Sequence, residues 1–200
     1  MEADDIDPES RCRLPLPRRN NLAPEAQAVY DRLVDPQGGT LRGLAGPGGI
    51  ALHSPALWRH TRGLNHYLRY EAGLGGRVRE LAILVTAREC DSQFEWAAHE
   101  AEARKEGVPA ATIEIVRRGG DIAGLAEEDA AVIALGREMF ADRRVSSATF
   151  ARCLKLFGRG KLVDLVALMG NYASTAALLC AFAMQLDPGQ APPLPIPRPA

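Results

Sequence analysis

The sequence predicts an all-α fold, a bundle of helices, from three observations. Apolar residues recur with helical spacing, most clearly in RVRELAILVTAREC at 77–90, where strong helix formers fill the other positions. Proline stands at the predicted opening turns and glycine stands just beyond the predicted ends. No segment shows a convincing strand pattern, and no repeat of fixed period is present.

The helices are predicted in order from these start and stop signals. Pro24 lies in the first turn of the first helix, and a Gly/Pro-rich loop over 36–49 follows that helix. Ser54 is the predicted N-cap of the second helix, residues 91–92 cap the fourth, and Ser146 caps a later one. The predicted helical segments are 24–35, 55–71, 77–90, 93–106, 110–118, 127–140, 147–157 and 161–185.

One helical domain is predicted over 23–187, between two segments without helical periodicity. Residues 1–22 are polar and are expected to form a flexible arm, and the proline-rich tail at 188–200 is expected to be extended. The Ala- and Leu-rich segment 161–185 is expected to be buried on most sides, by its own domain or by a neighbouring subunit.

Charge and targeting signals limit the classes of partner. With 24 basic and 25 acidic residues the net charge is −1, which favours neither nucleic acid nor an anionic membrane. The N-terminus has no apolar signal core, and Asp164, Asn171 and Gln185 interrupt the most apolar segment, 162–186. We therefore expect a cytoplasmic protein that binds neither nucleic acid nor a membrane.

Metal, cofactor and disulfide signals are weak. The cysteines are Cys12, Cys90, Cys153 and Cys180. Their wide spacing, without a CxxC pair, predicts free thiols. The histidines form no HxH or HExxH motif, and neither a GxGxxG loop nor a GxSxG elbow is present, so no metal and no cofactor are predicted.

Three polar side chains are candidates for acid–base chemistry. Glu95 and His99 are four residues apart and share one helix face, so the carboxylate can orient the imidazole and raise its pKa. Glu80 borders the apolar stripe of the preceding helix, where loss of solvent would raise its pKa. The alternatives are a surface contact for Glu95 and His99, and a salt bridge from Glu80 to Arg77 or Arg79.

Residues 77–107 resemble the carboxymuconolactone decarboxylase family, within the alkylhydroperoxidase D-like superfamily. The motif is RExxIL, a capped helix break and then FEWxxH. The segment 163–185 resembles the closing helix of the family, with Gly-Asn-Tyr at 170–172 in place of G-x-Y, and the resemblance covers about 24–186. It implies an alkylhydroperoxidase D-like helical bundle that assembles as a homo-oligomer (dimer, trimer or hexamer), with active sites near subunit contacts.

The redox pair of the peroxidase branch is missing from this sequence. Aligned on His99, the two thiol positions of that branch fall on Ser92 and Glu95. Glu80 and His99 match the glutamate and histidine that assist the thiols in that branch. Because a hydroxyl and a carboxylate cannot cycle through sulfenic acid and disulfide, the resemblance implies proton transfer without thiol chemistry.

The resemblance and the residue chemistry together suggest a cofactor-free lyase, or a related proton-transfer enzyme, acting on a small carboxylated lactone or similar acid. His99, oriented by Glu95, is the expected proton donor, Glu80 polarises the pair, and Arg77 or Arg88 holds the substrate carboxylate. The aromatic residues expected to exclude water are Phe94, Trp96 and Tyr172. The alternatives are a peroxidase that uses Cys90, or a non-catalytic helical oligomer that binds a small molecule.

Overall fold

The computed structural model describes residues 5–35 and 41–196, and their regular secondary structure is entirely helical, which confirms the all-α prediction. Short 3₁₀ and π-helical turns occupy Arg19–Asn21 and Tyr67–Glu71. The α-helices are α1 Pro24–Val34, α2 Pro47–Ala51, α3 Pro55–His66, α4 Gly76–Glu89, α5 Gln93–Lys105, α6 Ala110–Arg118, α7 Glu127–Phe140 and α8 Ser147–Ala181. The predicted loop over 36–49 thus contains the start of α2, and its residues 36–40 lie outside the described residues.

Helix α8 bends where two helices are predicted. At Gly158 the backbone adopts φ 69° and ψ 175°, a conformation that glycine tolerates and that breaks the helical path. Ser146 caps the first half, because its side chain accepts a hydrogen bond from the Thr149 amide at 3.2 Å. By length and composition alone, α8 is long and apolar enough to cross a membrane, and 39% of its most apolar window is buried in the protein.

Helix α4 is the centre of the core. It packs against α5, α7 and α8, and its residues Leu81 to Leu84 are completely inaccessible to solvent. Within one chain, α4 is therefore the helix buried on most sides, whereas Val163 of α8 is 67% exposed. Burial of 161–185 by a neighbouring subunit stays a prediction. Because α4 is surrounded by packed neighbours, a polar side chain that it carries inward depends on partners inside the protein.

Both terminal segments, the predicted flexible arm and the predicted extended tail, contact the helical domain. Within the predicted flexible arm, Cys12 is buried, and the amide of Arg13 donates to the Phe182 carbonyl at 2.9 Å. In the extended tail, Leu194 is buried and exchanges two 2.8 Å hydrogen bonds with the side-chain amide of Gln93. The described parts of the arm and the tail therefore pack against the helices of their own chain.

Helix α3 contributes little to the core of this chain. None of its residues is buried, although its sequence is amphipathic. Leu57 and Leu64, two turns apart on one face, are each 47% exposed.

Two glycines test the packing of α4. A Cβ at Gly136 of α7 would lie 2.3 Å from Val85 Cγ1, inside the core, whereas a Cβ at Gly170 of α8 would contact nothing within 4 Å. We expect Gly136→Ala to lower the free energy of unfolding by about 1–3 kcal/mol through overpacking. The matched change Gly170→Ala is expected to raise it by about 0.5–1 kcal/mol, since alanine loses less backbone entropy. Urea unfolding measures both, and equal effects of the two substitutions would contradict this packing.

Candidate functional site

The turn between α4 and α5 places Glu80 beside His99. Asp91 adopts φ 50°, a left-handed conformation that aspartate tolerates better than most residues. The amide of Ser92 then donates to the Ala87 carbonyl at 2.8 Å, which closes the turn. The chain therefore reverses within three residues, and the two helices run side by side with their polar residues facing each other.

Glu80 and His99 form a buried pair. Glu80 Oε2 lies 2.8 Å from His99 Nδ1, and the side chains are 1% and 5% exposed. Arg79 Nε donates to the other oxygen, Glu80 Oε1, at 3.0 Å. Although burial acts to raise the pKa of Glu80, the hydrogen bonds from His99 and Arg79 lower it below the usual value. Because an ionised carboxylate only accepts, Nδ1 carries a hydrogen, and Nε2 is the imidazole nitrogen directed at other partners.

Glu95 lies on the other side of the same imidazole. Its Oε2 atom is 3.8 Å from His99 Nε2, which is longer than a hydrogen bond. Within residues 5–35 and 41–196 this buried oxygen has no hydrogen-bond partner. Burial raises the pKa of the Glu95 carboxyl, and Glu80 adds to the rise, while His99 and Arg69 oppose it. Glu95 is therefore the carboxyl that favours its protonated form.

The surroundings of the two buried carboxyls therefore favour different protonation forms. Donors reach both oxygens of Glu80, whereas no donor among the described residues reaches the buried Oε2 of Glu95. Environments that push the pKa values of neighbouring acids apart create one proton donor and one proton acceptor at the same pH. The predicted roles of the two glutamates are thereby exchanged, because Glu80, not Glu95, orients the imidazole.

Tyr172 of α8 closes the cluster from a third helix. Its ring meets the His99 ring edge-on, with centroids 5.2 Å apart, and the residue is 6% exposed. Burial raises the pKa of the Tyr172 phenol, so the ring remains neutral. Together with Tyr172, all three residues predicted to carry chemistry lie in one buried cluster.

Two arginines complete the site. The salt bridge from Glu80 to Arg79 is one of the alternatives predicted from the sequence, whereas the approach of Arg69 is not predicted. Arg79 donates to Glu80, and the Arg69 Nη2 atom lies 3.9 Å from Glu80 Oε1. Arg69 belongs to the π-helical turn that follows α3, so no helical spacing relates it to Glu80. The available signal was charge balance, since a carboxylate at the edge of an apolar stripe needs a buried cation.

The two arginines predicted to bind substrate have other partners. Arg77 donates to the buried carboxylate of Asp129 on α7 at 2.6 Å. Arg88 donates to the Pro195 carbonyl of the tail at 3.0 Å. Arg88 follows Glu80 by two turns, which is about 12 Å along a helix, so it is too far along α4 to share the site.

Two of the predicted aromatic residues also lie elsewhere. Trp96 is fully buried, donates to Glu100 Oε2 at 2.8 Å and packs under the Arg117 guanidinium at 4.9 Å. It follows Glu95 directly in α5, and helical rotation turns it to a different face. Phe94 packs in a separate apolar cluster with Cys12.

The described part of the chain contains no group of three or more His, Cys, Asp or Glu side chains arranged to hold a metal ion. All four cysteines are free. Burial, with the adjacent carboxylates of Glu89 and Asp91, raises the pKa of the Cys90 thiol.

The fold and the site define an all-helical protein with a buried acid–base cluster at the contact of three helices. The family model described as the carboxymuconolactone decarboxylase family matches residues 55–137, which include α3 to α7 up to Arg137. This region of the chain is similar to that family, and the match is consistent with the alkylhydroperoxidase D-like superfamily. Neither the comparison with curated proteins nor the comparison with solved structures gave a match.

The opposite environments of the two glutamates predict opposite effects on stability. Above the ordinary glutamate pKa of 4.5, ionised Glu80 stabilises the folded state, and this contribution is lost as the pH falls through its lowered pKa. We expect Glu80→Gln to cost about 3 kcal/mol at pH 8, because the substitution breaks a buried ion pair.

The same substitution at Glu95 is expected to act with the opposite sign. The raised pKa of Glu95 makes the folded state lose stability as the pH rises from 4.5 through that pKa, and glutamine removes this loss. Glu95→Gln should therefore be more stable than the parent protein at pH 8, with the gain shrinking towards pH 4.5. Urea unfolding at pH 8 and pH 4.5 measures the stability of both variants. Equal destabilisation by Glu80→Gln and Glu95→Gln at pH 8 would refute the opposite pKa shifts of the two glutamates.

Proposed function

We propose that the chain is a cofactor-free acid–base enzyme, a lyase or related proton-transfer catalyst acting on a small carboxylated lactone or similar acid. One observation carries the proposal: two buried carboxyls with opposite pKa shifts flank one imidazole, at 2.8 and 3.8 Å. Such a set holds a proton donor and a proton acceptor ready at the same pH, without further groups.

The roles follow from the contacts. Ionised Glu80 fixes the His99 ring through Nδ1, so that Nε2 points towards Glu95. Protonated Glu95 donates to substrate, and His99 relays the replacing proton from solvent to it. Tyr172, with its raised pKa, covers the imidazole and excludes water without ionising.

Decarboxylation illustrates the chemistry. The bond between the substrate carbon and its carboxylate breaks, the electron pair moves into the lactone carbonyl as an enolate, and carbon dioxide leaves. Glu95 then gives its proton to the carbon, which restores the lactone carbonyl, and His99 returns a proton to Glu95. The negative charge forms beside Arg69 and a neutral carboxyl, which stabilise it better than a second carboxylate would.

Thiol peroxidase activity fits the residues less well. The positions of the superfamily thiols are Ser92 and Glu95. Cys90 is the nearest thiol in sequence, and burial with two neighbouring carboxylates raises its pKa, which disfavours the reactive thiolate.

A non-catalytic role is the second candidate, and burial favours it. The four cluster residues are between 1% and 6% exposed in a single chain, as in a structural polar network. However, a structural network satisfies its polar atoms, whereas Glu95 Oε2 is buried without a hydrogen bond among the described residues. That atom favours a site that a small polar molecule completes.

Substitutions in the cluster separate the two candidates. We expect Glu95→Gln and His99→Gln to lower kcat/KM for a carboxylated γ-lactone by about 10²- to 10⁴-fold, because each removes a proton-transfer group. Carbon dioxide release and deuterium incorporation from D₂O into the product measure the reaction. Glu102→Gln on the same helix is the matched control, because Glu102 pairs with Lys105 outside the cluster.

Full activity in both His99→Gln and Glu95→Gln would end the proposal. Peroxide turnover that is lost in Cys90→Ser would support the peroxidase alternative instead. Tight binding of a lactone carboxylate with neither carbon dioxide release nor exchange would establish the non-catalytic reading.

We also propose that the protein is a homo-oligomer in which α3 meets a second copy. This amphipathic helix buries no residue in its own chain and leaves Leu57 and Leu64 exposed. It leads directly into the turn that carries Arg69, so a subunit contact there would lie beside the acid–base cluster.

The mass of the particle in solution tests this contact. We expect the parent chain to elute as an oligomer in size-exclusion chromatography with light scattering, and Leu57→Glu with Leu64→Glu to shift it to a smaller species. Phe150→Glu on α8, at a position 52% exposed, is the control and should leave the mass unchanged. A monomeric parent chain, or equal effects of both variants, would exclude an α3 interface.

A further inference from the structure

Arg69 lies between the buried cluster and solvent. Its side chain is 11% exposed, against 1% for Glu80 and 5% for His99. It is held by the π-helical turn Tyr67–Glu71, where the guanidinium lies over the exposed Tyr70 ring at 5.2 Å. Arg79, at 14%, is similarly exposed, so a small molecule that approaches from this side meets these two arginines before Glu80 and His99.

The N–H groups of Arg69 make fewer hydrogen bonds within the described residues than those of Arg79. Arg79 donates to Glu80, to the Arg69 carbonyl at 2.9 Å and to Glu106 at 3.2 Å. By contrast, Arg69 Nε is buried without a hydrogen bond to any residue in 5–35 and 41–196, and Nη2 stays 3.9 Å from Glu80. A planar guanidinium whose N–H donors lack a close acceptor is suited to bidentate binding of a carboxylate.

The carboxylate beside Arg69 is already bound by closer donors. Glu80 Oε1 accepts from Arg79 Nε at 3.0 Å, and Glu80 Oε2 lies 2.8 Å from His99 Nδ1, whereas Arg69 Nη2 stays 3.9 Å from Glu80 Oε1. Arg69 therefore shares this carboxylate with two closer donors and has N–H groups left to bind another. The unpartnered Glu95 Oε2 adds a second polar atom that lacks a partner inside the described chain.

We propose that Arg69 is the specificity-determining residue of this site and binds a carboxylate that stays on the substrate, with Glu95 as the neighbouring polar contact. The proposal rests on the proposed function for the reaction itself, and it replaces Arg77 and Arg88 in substrate binding. The carboxylate held here is not the one lost as carbon dioxide, because an ion pair to the leaving group would stabilise the ground state. The ligand class is thus a small lactone or acid with an anionic group that is retained.

A pair of probes that differ in one charge tests the proposal without requiring turnover. The probes are 5-oxotetrahydrofuran-2-carboxylate and its methyl ester, and calorimetry on the full chain measures binding. We expect the carboxylate to bind the parent protein at least tenfold more tightly than the ester. Arg69→Gln should remove that preference, and Arg69→Lys, which keeps the charge but not the fork, should restore part of it.

The control is Arg62→Gln, an arginine of α3 whose guanidinium lies over the Trp58 ring, and it should bind the carboxylate like the parent protein. Equal binding of carboxylate and ester by the parent protein, or an unchanged preference in Arg69→Gln, overturns the assignment. If Arg69→Gln does not fold, the parent protein and Arg69→Lys still decide it. Carboxylate binding that needs Arg69, without any proton exchange, would refute only the proposed reaction.

Discussion

The hydrogen bond between Glu80 and His99 is the contact on which the site depends. It joins α4 to α5 inside the core, at 2.8 Å, between side chains that water hardly reaches. It fixes the imidazole tautomer, and with Arg79 it keeps the Glu80 carboxyl ionised despite burial. Burial raises the pKa of the Glu95 carboxyl, and the negative charge of Glu80 adds to that rise. The Glu80–His99 contact thereby contributes to the difference between the two carboxyls.

Local sequence patterns explain how much of the fold could be predicted. The helices follow from apolar periodicity and from Pro and Gly signals, which act within a few residues, and even the break in α8 coincides with a glycine. The neighbourhood of Glu95 and His99 was predictable for the same reason, since four residues make one helical turn. The packing of the arm on Phe182 and of Leu194 on Gln93 could not be predicted, because those contacts join residues more than 100 positions apart in the chain.

The pairing of arginines with carboxylates in the folded chain explains why the arginines of the site were not all predicted. Several arginines lie close to Glu80 in sequence, and the pattern favoured Arg77 and Arg88 as substrate ligands. Arg77 instead donates to the buried carboxylate of Asp129, and Arg88 donates to the Pro195 carbonyl of the tail. Arg69, from beyond a glycine-rich turn, reaches the cluster instead. Which cation meets which carboxylate is decided by tertiary packing, and no spacing rule in the sequence encodes it.

The central claim is that two buried glutamates hold opposite protonation states around one histidine. Carbon-13 NMR of glutamate side-chain carboxyls, assigned by the single glutamine variants, measures this directly in a pH titration. The account predicts that the Glu95 signal stays that of a neutral carboxyl well above the pH at which an ordinary glutamate ionises, while Glu80 remains ionised throughout. Two carboxyls that titrate together in the ordinary acidic range would contradict it.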